Sequence, residues 1–338
     1  MQTQLILSMN IIKRSKIDMD KIRFKKYEGL TRRDIIPKVL LDIGEIEPKT
    51  VLLGADAINT IGGQLFSDRF PERSFNFGIA EPNLFGAAAG FAMLGKIPIC
   101  IVYGFVIARA LEQIRDDICY NQKNVKILSQ TVTFDLPTGG VTHHPVEDIS
   151  FLRNLPNMTI IQPATPLEAV AAAYQGILEH EGPVYLRCSR TLEEELYSLE
   201  DHEFQIGKAI TLQNGKDITL IATGSSVYIA KRAANILERK GISVRILNIH
   251  TIKPIDEEVI IKAAEETKGI VTIEDTNASG SLGAAVCSIV SQNNPVKVKH
   301  VSFPDDRFSV IGPSINALNE FFGITAKNVV KKAEQILG

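Results

Sequence analysis

Short, uninterrupted apolar runs alternate with amphipathic helical segments along most of this chain. Runs of roughly four to eight apolar residues are typical of strands buried on both faces, which occur in parallel sheets covered by helices. Helical patterns such as 105–121 and 165–180 separate the runs. The alternation therefore predicts an α/β fold built on parallel sheets. The runs in the first half of the chain are 50–56, 97–104, 124–130, 158–164 and 183–189.

The chain is long enough for two domains, with 338 residues. Around 190–215 the alternation gives way to acidic clusters and an Asn-Gly turn signal, and it then resumes with segments such as ITLIATGSS and SVRILNIHTIKP. We expect a second, smaller α/β domain there. The predicted boundaries are an N-terminal extension at 1–22, a first domain at 23–192, a link at 193–215 and a second domain at 216–338.

Composition argues against several classes of protein. The formal net charge is −2 and there is no basic stripe, so no nucleic-acid partner is expected. The four cysteines are widely spaced without a CxxC pair, which indicates neither a zinc site nor a disulfide framework. This cysteine usage is typical of a reduced, cytoplasmic protein. No apolar run approaches the roughly 20 residues that a membrane span requires, so no membrane partner is expected.

One carboxylate stands at a predicted strand–helix junction. The stretch SFNFGIAEPN, residues 74–83, is typical of a buried strand that ends, and LFGAAAGFAMLG after it favours a helix of small residues. Glu81 falls at the start of that helix, where the macrodipole and the free amides favour a negative charge. A helix-terminal carboxylate is therefore one interpretation, and an active-site carboxyl group is the other.

A glycine-containing loop carries two adjacent histidines. The stretch PTGGVTHH ends in His143 and His144, and a predicted helix follows. Histidine pairs on loops are often exposed and without function. Flexible glycines beside imidazoles nevertheless suit a site in which side chains must face a ligand.

Several segments, in this order, resemble the C-terminal half of transketolase. They are FNFGIAEPNLFGAAAGFAMLGKIP, ARALEQIRDDICYNQKNVKI, THHPVEDISFLRNLPNMTIIQPATPLEA, GPVYLRCSR and, near the end, GIVTIEDTNASGSLGAAV and FFGITAKNVVKKAEQIL. The resemblance covers about residues 25–338. It implies a thiamine-diphosphate pyrimidine-binding domain followed by a transketolase C-terminal domain. It also implies ketol transfer from a ketose, such as a sugar phosphate, to an aldehyde acceptor.

The resemblance assigns cofactor contacts to three residues. In the family, a glutamate of the G-I-x-E motif hydrogen-bonds the aminopyrimidine nitrogen of thiamine diphosphate, and Glu81 occupies that position. A carboxyl group in an apolar pocket can share a proton with such a ring nitrogen. Phe105 matches the aromatic residue that stacks on the pyrimidine, and Asp56 matches an aspartate near the thiazolium.

Four further residues are assigned to the substrate by the same resemblance. His143 matches a catalytic histidine that contacts substrate oxygens, and His144 directly follows it. Arg32 and Arg190 match the arginines that hold the sugar phosphate. A planar guanidinium suits that role because it binds phosphate through two parallel hydrogen bonds.

One family motif is missing from the chain. Thiamine enzymes hold the diphosphate through Mg²⁺, which is bound by a G-D-G motif and a later Asn, and no GDG occurs here. We therefore expect a split enzyme, and we assign no metal ligand to this chain. The partner is expected to be an N-terminal transketolase subunit that carries the diphosphate- and Mg²⁺-binding domain. An α2β2 assembly is expected, in which this chain alone is inactive.

The substrate loop also departs from the family pattern. Transketolases read G-E-D-G-x-T-H-Q, whereas this chain has Thr138 and Gly139 at the acidic pair and His144 after the histidine. An upstream histidine that reads substrate is replaced by Thr131. Because a site built to bond particular hydroxyls rejects analogues without them, these changes predict an altered donor or acceptor in a specialised pathway.

Three alternatives remain open at this point. The THH stretch also resembles 1-deoxyxylulose-5-phosphate synthase, and the β subunit of 2-oxo acid dehydrogenases has a similar size and domain pair. Pyruvate decarboxylation would distinguish these two from ketol transfer. The third alternative is a catalytically degenerate scaffold, which the retained site residues disfavour and the lost acidic pair favours.

Overall fold

The fold consists of two α/β units, each built on its own sheet. The computed structural model describes residues 24–30, 32–190, 195–198 and 203–338. The predicted extension at 1–22 lies outside these residues. The α/β fold class predicted from the alternating pattern is confirmed.

The first sheet has seven strands and is almost entirely parallel. Its spatial order is β10-β5-β6-β4-β3-β1-β2, and only the β10–β5 pair is antiparallel. Each of the five apolar runs predicted in the first half of the chain contains one of its strands. The bounds are β1 Thr50–Gly54, β2 Ser74–Asn76, β3 Ile97–Tyr103, β4 Lys126–Gln130, β5 Thr159–Ile161, β6 Val184–Cys188 and β10 Thr251–Lys253.

Helices cover both faces of this sheet. Alternate residues of a strand point to opposite faces. In β1, Leu52 packs into the cluster formed with α1 and α6, while Val51 and Leu53 pack into the cluster formed with α3. The helices are α1 Arg32–Ile46, α2 Gln64–Arg69, α3 Glu81–Met93, α4 Leu111–Gln113, which continues as a π-helix Ile114–Tyr120, α5 Asp148–Arg153 and α6 Pro166–Tyr174.

The second sheet has five strands in the order β12-β11-β8-β9-β7, and β7 is antiparallel to β9. The expected link at 193–215 contains β7, Ile210–Gln213. The other strands are β8 Ile218–Ala222, β9 Val244–Asn248, β11 Gly269–Asn277 and β12 Lys297–Phe303. The helices are α7 Ser226–Glu238, α8 Glu257–Glu266, α9 Leu282–Gln292, α10 Ile315–Phe322 and α11 Ala326–Leu337.

The segment SVRILNIHTIKP joins the two sheets. It contains two strands: β9 lies in the second sheet, and β10 pairs with β5 in the first. The backbone amide of Gln162 donates to the carbonyl oxygen of His250 between them, at 2.7 Å. The two units are therefore connected by main-chain pairing. In the part of the chain that the structure describes, no helix is long and apolar enough to cross a membrane.

Candidate active site

A small cavity lies at the carboxyl ends of β1 and β3, where ligands of parallel α/β sheets are commonly bound. Its volume is about 190 Å³. One wall follows β1, another follows β3, and the first turn of α3 closes it. The lining residues are Ala55, Asp56, Ala57, Ile79, Glu81, Val102, Tyr103, Phe105 and Val106.

Glu81 is the first residue of α3 and contributes a buried carboxyl group to the cavity wall. Its exposed fraction is 5%, although most carboxyl groups lie at the surface. Arg109 Nη1 lies 3.1 Å from Glu81 Oε2, in a geometry that does not make a hydrogen bond. Oε2 has no hydrogen-bond donor among the described residues. The buried oxygen is thus available to a group that binds in the cavity.

Aromatic rings form the side of the cavity next to Glu81. Phe105 stacks on Tyr103 with ring centroids 5.3 Å apart and an interplanar angle of 11°. His143 contacts the same Phe105 ring, with centroids 4.6 Å apart. The His143 Nδ1 atom lies 2.8 Å from the Thr142 hydroxyl. The fold therefore brings Glu81, Phe105 and His143, which are distant in sequence, into one neighbourhood.

Two glycines allow the loops around this site to approach one another. A Cβ atom at Gly104, directly after β3, would lie 2.8 Å from the Pro145 ring. A Cβ atom at Gly139 would lie 2.5 Å from the Cβ atom of His143. Side chains at these positions would therefore displace the segment that carries His143.

His144 has a different environment from its neighbour. Its ring is buried, its Nε2 lies 2.7 Å from the Leu136 carbonyl oxygen, and its Nδ1 lies 2.5 Å from the Ser309 hydroxyl. Burial lowers the pKa of His144. A neutral ring that donates from Nε2 and accepts at Nδ1 satisfies both contacts. A direct contact between His144 and substrate would require one of these bonds to break.

Asp56 lies at the rim of the cavity with an exposed side chain. Its φ is 64°, a left-handed conformation that Asp tolerates better than most residues. Its backbone amide donates to Asn76 Oδ1 at 2.9 Å, and that oxygen also accepts from the amide of Gly78 at 3.0 Å. Asn76 thus fixes the turns that carry Asp56 and precede Glu81.

Of the two arginines assigned to a phosphate, Arg190 lies just beyond the end of β6. Its backbone amide donates to Asp135 at 2.8 Å. Its Nη2 donates to the Thr60 carbonyl oxygen, and the Thr60 hydroxyl lies 3.2 Å from the Tyr103 hydroxyl. Arg190 therefore connects to the Tyr103 side of the cavity. Arg32 begins α1, and its side chain lies outside the described part of the structure.

Sequence reasoning missed the charged partner of Glu81. Arg109 lies in FVIARAL, and a basic residue within an otherwise apolar segment was the signal in the sequence. It also missed Arg187, which is completely buried in β6 and bonded to Asp148 and Asp275. An arginine inside the apolar run PVYLRCS indicates a buried ion pair, because a lone charge would be too costly there.

The cavity residues fit the pyrimidine end of thiamine diphosphate. The buried Glu81 Oε2, which accepts no hydrogen bond within the described part of the chain, matches a ring nitrogen that shares a proton, and the Phe105 face matches an aromatic ring. Within residues 24–30, 32–190, 195–198 and 203–338, no group of three His, Cys, Asp or Glu side chains is arranged to hold a metal ion.

Two family models match this chain. The transketolase pyrimidine-binding domain matches residues 28–194, and the transketolase C-terminal domain matches residues 207–329. The chain belongs to the transketolase family, and this membership implies thiamine diphosphate as the cofactor. The predicted resemblance and the predicted pair of domain types are thereby confirmed.

Individual relatives point to subunits of split enzymes. The chain is 36% identical to the 6-deoxy-6-sulfo-D-fructose transketolase subunit SqwH of Clostridium sp. (strain MSTE9), over 92% of this chain and 96% of the relative. It is also 36% identical to one of the subunits of the apulose-4-phosphate transketolase of Phocaeicola vulgatus, over 87% and 93%. Several 1-deoxy-D-xylulose-5-phosphate synthases are 31–33% identical, and the chain spans 49% of their length.

A similar solved structure is also a chain of a split transketolase. It is described as "Split gene transketolase, inactive beta4 tetramer" and is 38% identical to this chain, with a TM-score of 0.82. The match covers 91% of this chain and 99% of that one. The two chains therefore share the same fold over nearly their whole common length.

Proposed function

We propose that this chain is the C-terminal, β-type subunit of a split thiamine-diphosphate-dependent transketolase. The enzyme transfers a two-carbon ketol unit from a ketose, such as a sugar phosphate, to an aldehyde acceptor. The observation that carries this proposal is the buried Glu81 carboxyl group beside Phe105, whose Oε2 pairs with Arg109 but accepts no hydrogen bond from the described residues. The family membership and the relatives named as transketolase subunits support it.

The chain's own residues have distinct roles in this proposal. Glu81 holds a proton in common with the aminopyrimidine nitrogen, and Arg109 balances its charge from 3.1 Å. Phe105 holds the pyrimidine by stacking, and Asp56 lies at the rim toward the thiazolium. When bound, thiamine diphosphate supplies the carbon nucleophile and the electron sink. The apolar wall around Glu81 excludes water, which strengthens its interaction with the ring nitrogen.

Substrate recognition is assigned to the other residues. His143 is half-buried beside Phe105, and we propose that its imidazole contacts the reacting oxygens of the sugar. Arg32 and Arg190 hold the phosphate or another anionic end. His144 supports this loop from behind through its bonds to Leu136 and Ser309. Thr138 and Gly139, in place of an acidic pair, remove a hydroxyl acceptor and thus alter the choice of sugar.

A partner subunit completes the site. We propose that an N-terminal transketolase subunit binds the diphosphate and Mg²⁺, and that the two subunits form an α2β2 tetramer in the cytoplasm. The relatives named as subunits support a partner, and the similar β-only tetramer is described as inactive. The isolated chain is then expected to have no ketol-transfer activity.

Cofactor binding tests this proposal directly. The chain is co-expressed with a candidate subunit from the same genome, and the complex is isolated through a tag on this chain alone. Calorimetry then measures thiamine diphosphate binding in the presence of Mg²⁺, and a donor screen with ketose phosphates and other ketoses measures ketol transfer. Tight binding only by the complex, together with ketol transfer, is the expected result.

Other outcomes would contradict separate parts of the proposal. Tight cofactor binding by the isolated chain would contradict the divided site. Pyruvate decarboxylation without ketol transfer would favour a synthase-like or dehydrogenase-like subunit. Absence of cofactor binding in every complex would favour a scaffold without catalysis.

A further inference from the structure

Arg187, in β6, joins two loops of the site to the second domain. Its side chain is completely buried, and its hydrogen bonds match the full donor capacity of a guanidinium. Nε donates to Asp148 at 2.7 Å, and Nη1 donates to both carboxylate oxygens of Asp275 at 3.2 Å. Nη2 donates to the Thr133 hydroxyl at 2.7 Å and to the Pro145 carbonyl oxygen at 3.0 Å.

Asp275 reaches this cluster from β11 of the second domain. In addition to the bonds from Arg187, its carboxylate accepts from the Thr133 hydroxyl at 2.6 Å and from the side-chain amide of Gln162 at 3.0 Å. Burial acts to raise the pKa of Asp275, but Arg187, Thr133 and Gln162 together lower it below its ordinary value. The carboxylate is therefore ionised, and both of its oxygens accept hydrogen bonds inside the protein.

The loop that follows β4 has an unfavourable backbone conformation. Thr131 and Thr133 have φ values of 59° and 44°, which β-branched residues rarely adopt. Such conformations persist where surrounding contacts overdetermine them. The Thr133 hydroxyl donates to Asp275 and accepts from Arg187, so the cluster supplies those contacts.

The same cluster holds the segment after His143. Arg187 bonds the Pro145 carbonyl oxygen, two residues beyond His143. The next residue, Val146, accepts at its carbonyl oxygen from the amide of Asn277 at the end of β11, at 2.9 Å. The second domain thus contacts the His143 segment both directly and through Arg187.

We infer that Asp275 is a positioning residue for the reaction: acting through Arg187 and Thr133, it aligns the 131–135 loop and His143 with the cofactor cavity. This inference rests on the proposed function for its activity readout. The described residues that line the cavity come from the first domain, so the second domain acts on the reaction by aligning these loops.

Matched variants in the assembled enzyme test the inference. Asp275→Asn keeps the shape but removes the charge, and Asp148 still neutralises Arg187. Thr133→Val removes the hydroxyl, whereas Thr133→Ser retains it. Asn248→Ala is the control, because it removes a buried contact between the domains, to Glu168 of α6, at a different place.

The activity readout separates positioning from stability. Asp275→Asn and Thr133→Val are expected to lower kcat/KM about 100-fold, the loss typical of a displaced reacting group. Thr133→Ser and Asn248→Ala are expected to stay close to wild type, and cofactor affinity is expected to be unchanged throughout. Near wild-type kcat/KM in Asp275→Asn, or an equal loss in Asn248→Ala, would overturn the inference.

Hydrogen–deuterium exchange provides a readout that does not need activity. Asp275→Asn is expected to accelerate exchange in 131–135 and 142–146 specifically, and Asn248→Ala is not. If the exchange rates of these two segments in Asp275→Asn equalled those of the wild type, the inference would be overturned even if kcat/KM fell. Absence of ketol transfer by the wild-type enzyme would instead count against the proposed function, and exchange would still decide the role of Asp275.

Discussion

At the residue scale, two neighbouring side chains of the same type have different surroundings. His143 stands beside Phe105 at the cavity, while His144 is buried with both ring nitrogens hydrogen-bonded. The sequence identifies the pair but cannot tell the two apart, because Leu136 and Ser309 reach His144 only in the folded protein. Glu81 was identified from the sequence because its motif is contiguous, and Phe105 because the family resemblance assigns a role to its position.

Replacing Glu81 provides a sharp test of the cavity. Glu81→Gln keeps the side-chain shape but removes the carboxyl group that shares a proton, so kcat of the assembled enzyme is expected to fall by about 10²–10⁴-fold. Steady-state kinetics of ketol transfer measure this change. Glu112→Gln on nearby α4 is the control, because Glu112 is exposed, and its kcat is expected to be unchanged. Substantial turnover in Glu81→Gln would contradict the assigned role.

At the element scale, buried strands were the most predictable feature. An apolar run such as IPICIVYG, which contains β3, allows little other than a strand buried on both faces. The antiparallel edge strands β7 and β10 were not foreseen. Each has only three or four residues, and its sheet is chosen by the neighbour with which it pairs rather than by its own pattern.

Helix capping gives a prediction at this scale. The Thr325 side chain accepts a hydrogen bond from the Asn328 amide at the start of α11, whereas Ser225, at the start of α7, makes no side-chain cap bond. Thr325→Ala is expected to lower the free energy of unfolding by about 1 kcal/mol, and Ser225→Ala by a few tenths at most. Urea unfolding of both variants checks this. Equal losses of unfolding free energy in the two variants would show that the Thr325 cap hydrogen bond does not add to stability.

At the scale of the whole molecule, one buried and one half-buried histidine link stability to pH. Burial lowers the pKa of His250 to about 3, and burial together with Lys126 lowers that of His180 to about 4. In the unfolded chain these groups titrate near 6.5. As the pH falls below about 6.5, the unfolded state therefore binds protons that the folded state does not, and stability decreases.

Replacing His250 isolates its share of this effect. Burial raises the pKa of Glu274 to about 8, which opposes the histidines between about pH 4.5 and 8, so a difference between variants is the informative quantity. His250→Phe keeps a ring against Phe204 and is expected to remove a slope of about 1.4 kcal/mol per pH unit between about pH 4 and 6, where His250 is protonated in the unfolded state but not in the folded state. Urea unfolding at several pH values measures the slope, and identical slopes would contradict the prediction.

The sequence by itself determined the α/β class, the pair of domain types and the residues that resemble the transketolase motif, because apolar periodicity and contiguous motifs are local properties. Tertiary structure decided what depends on distant neighbours. It brought Arg109 to Glu81 and joined Arg187 to Asp275. It also buried His144 fully and His143 only in part, and it placed β10 in the first sheet. A buried charge or an edge strand is stable only with its partner, and that partner is set by the fold.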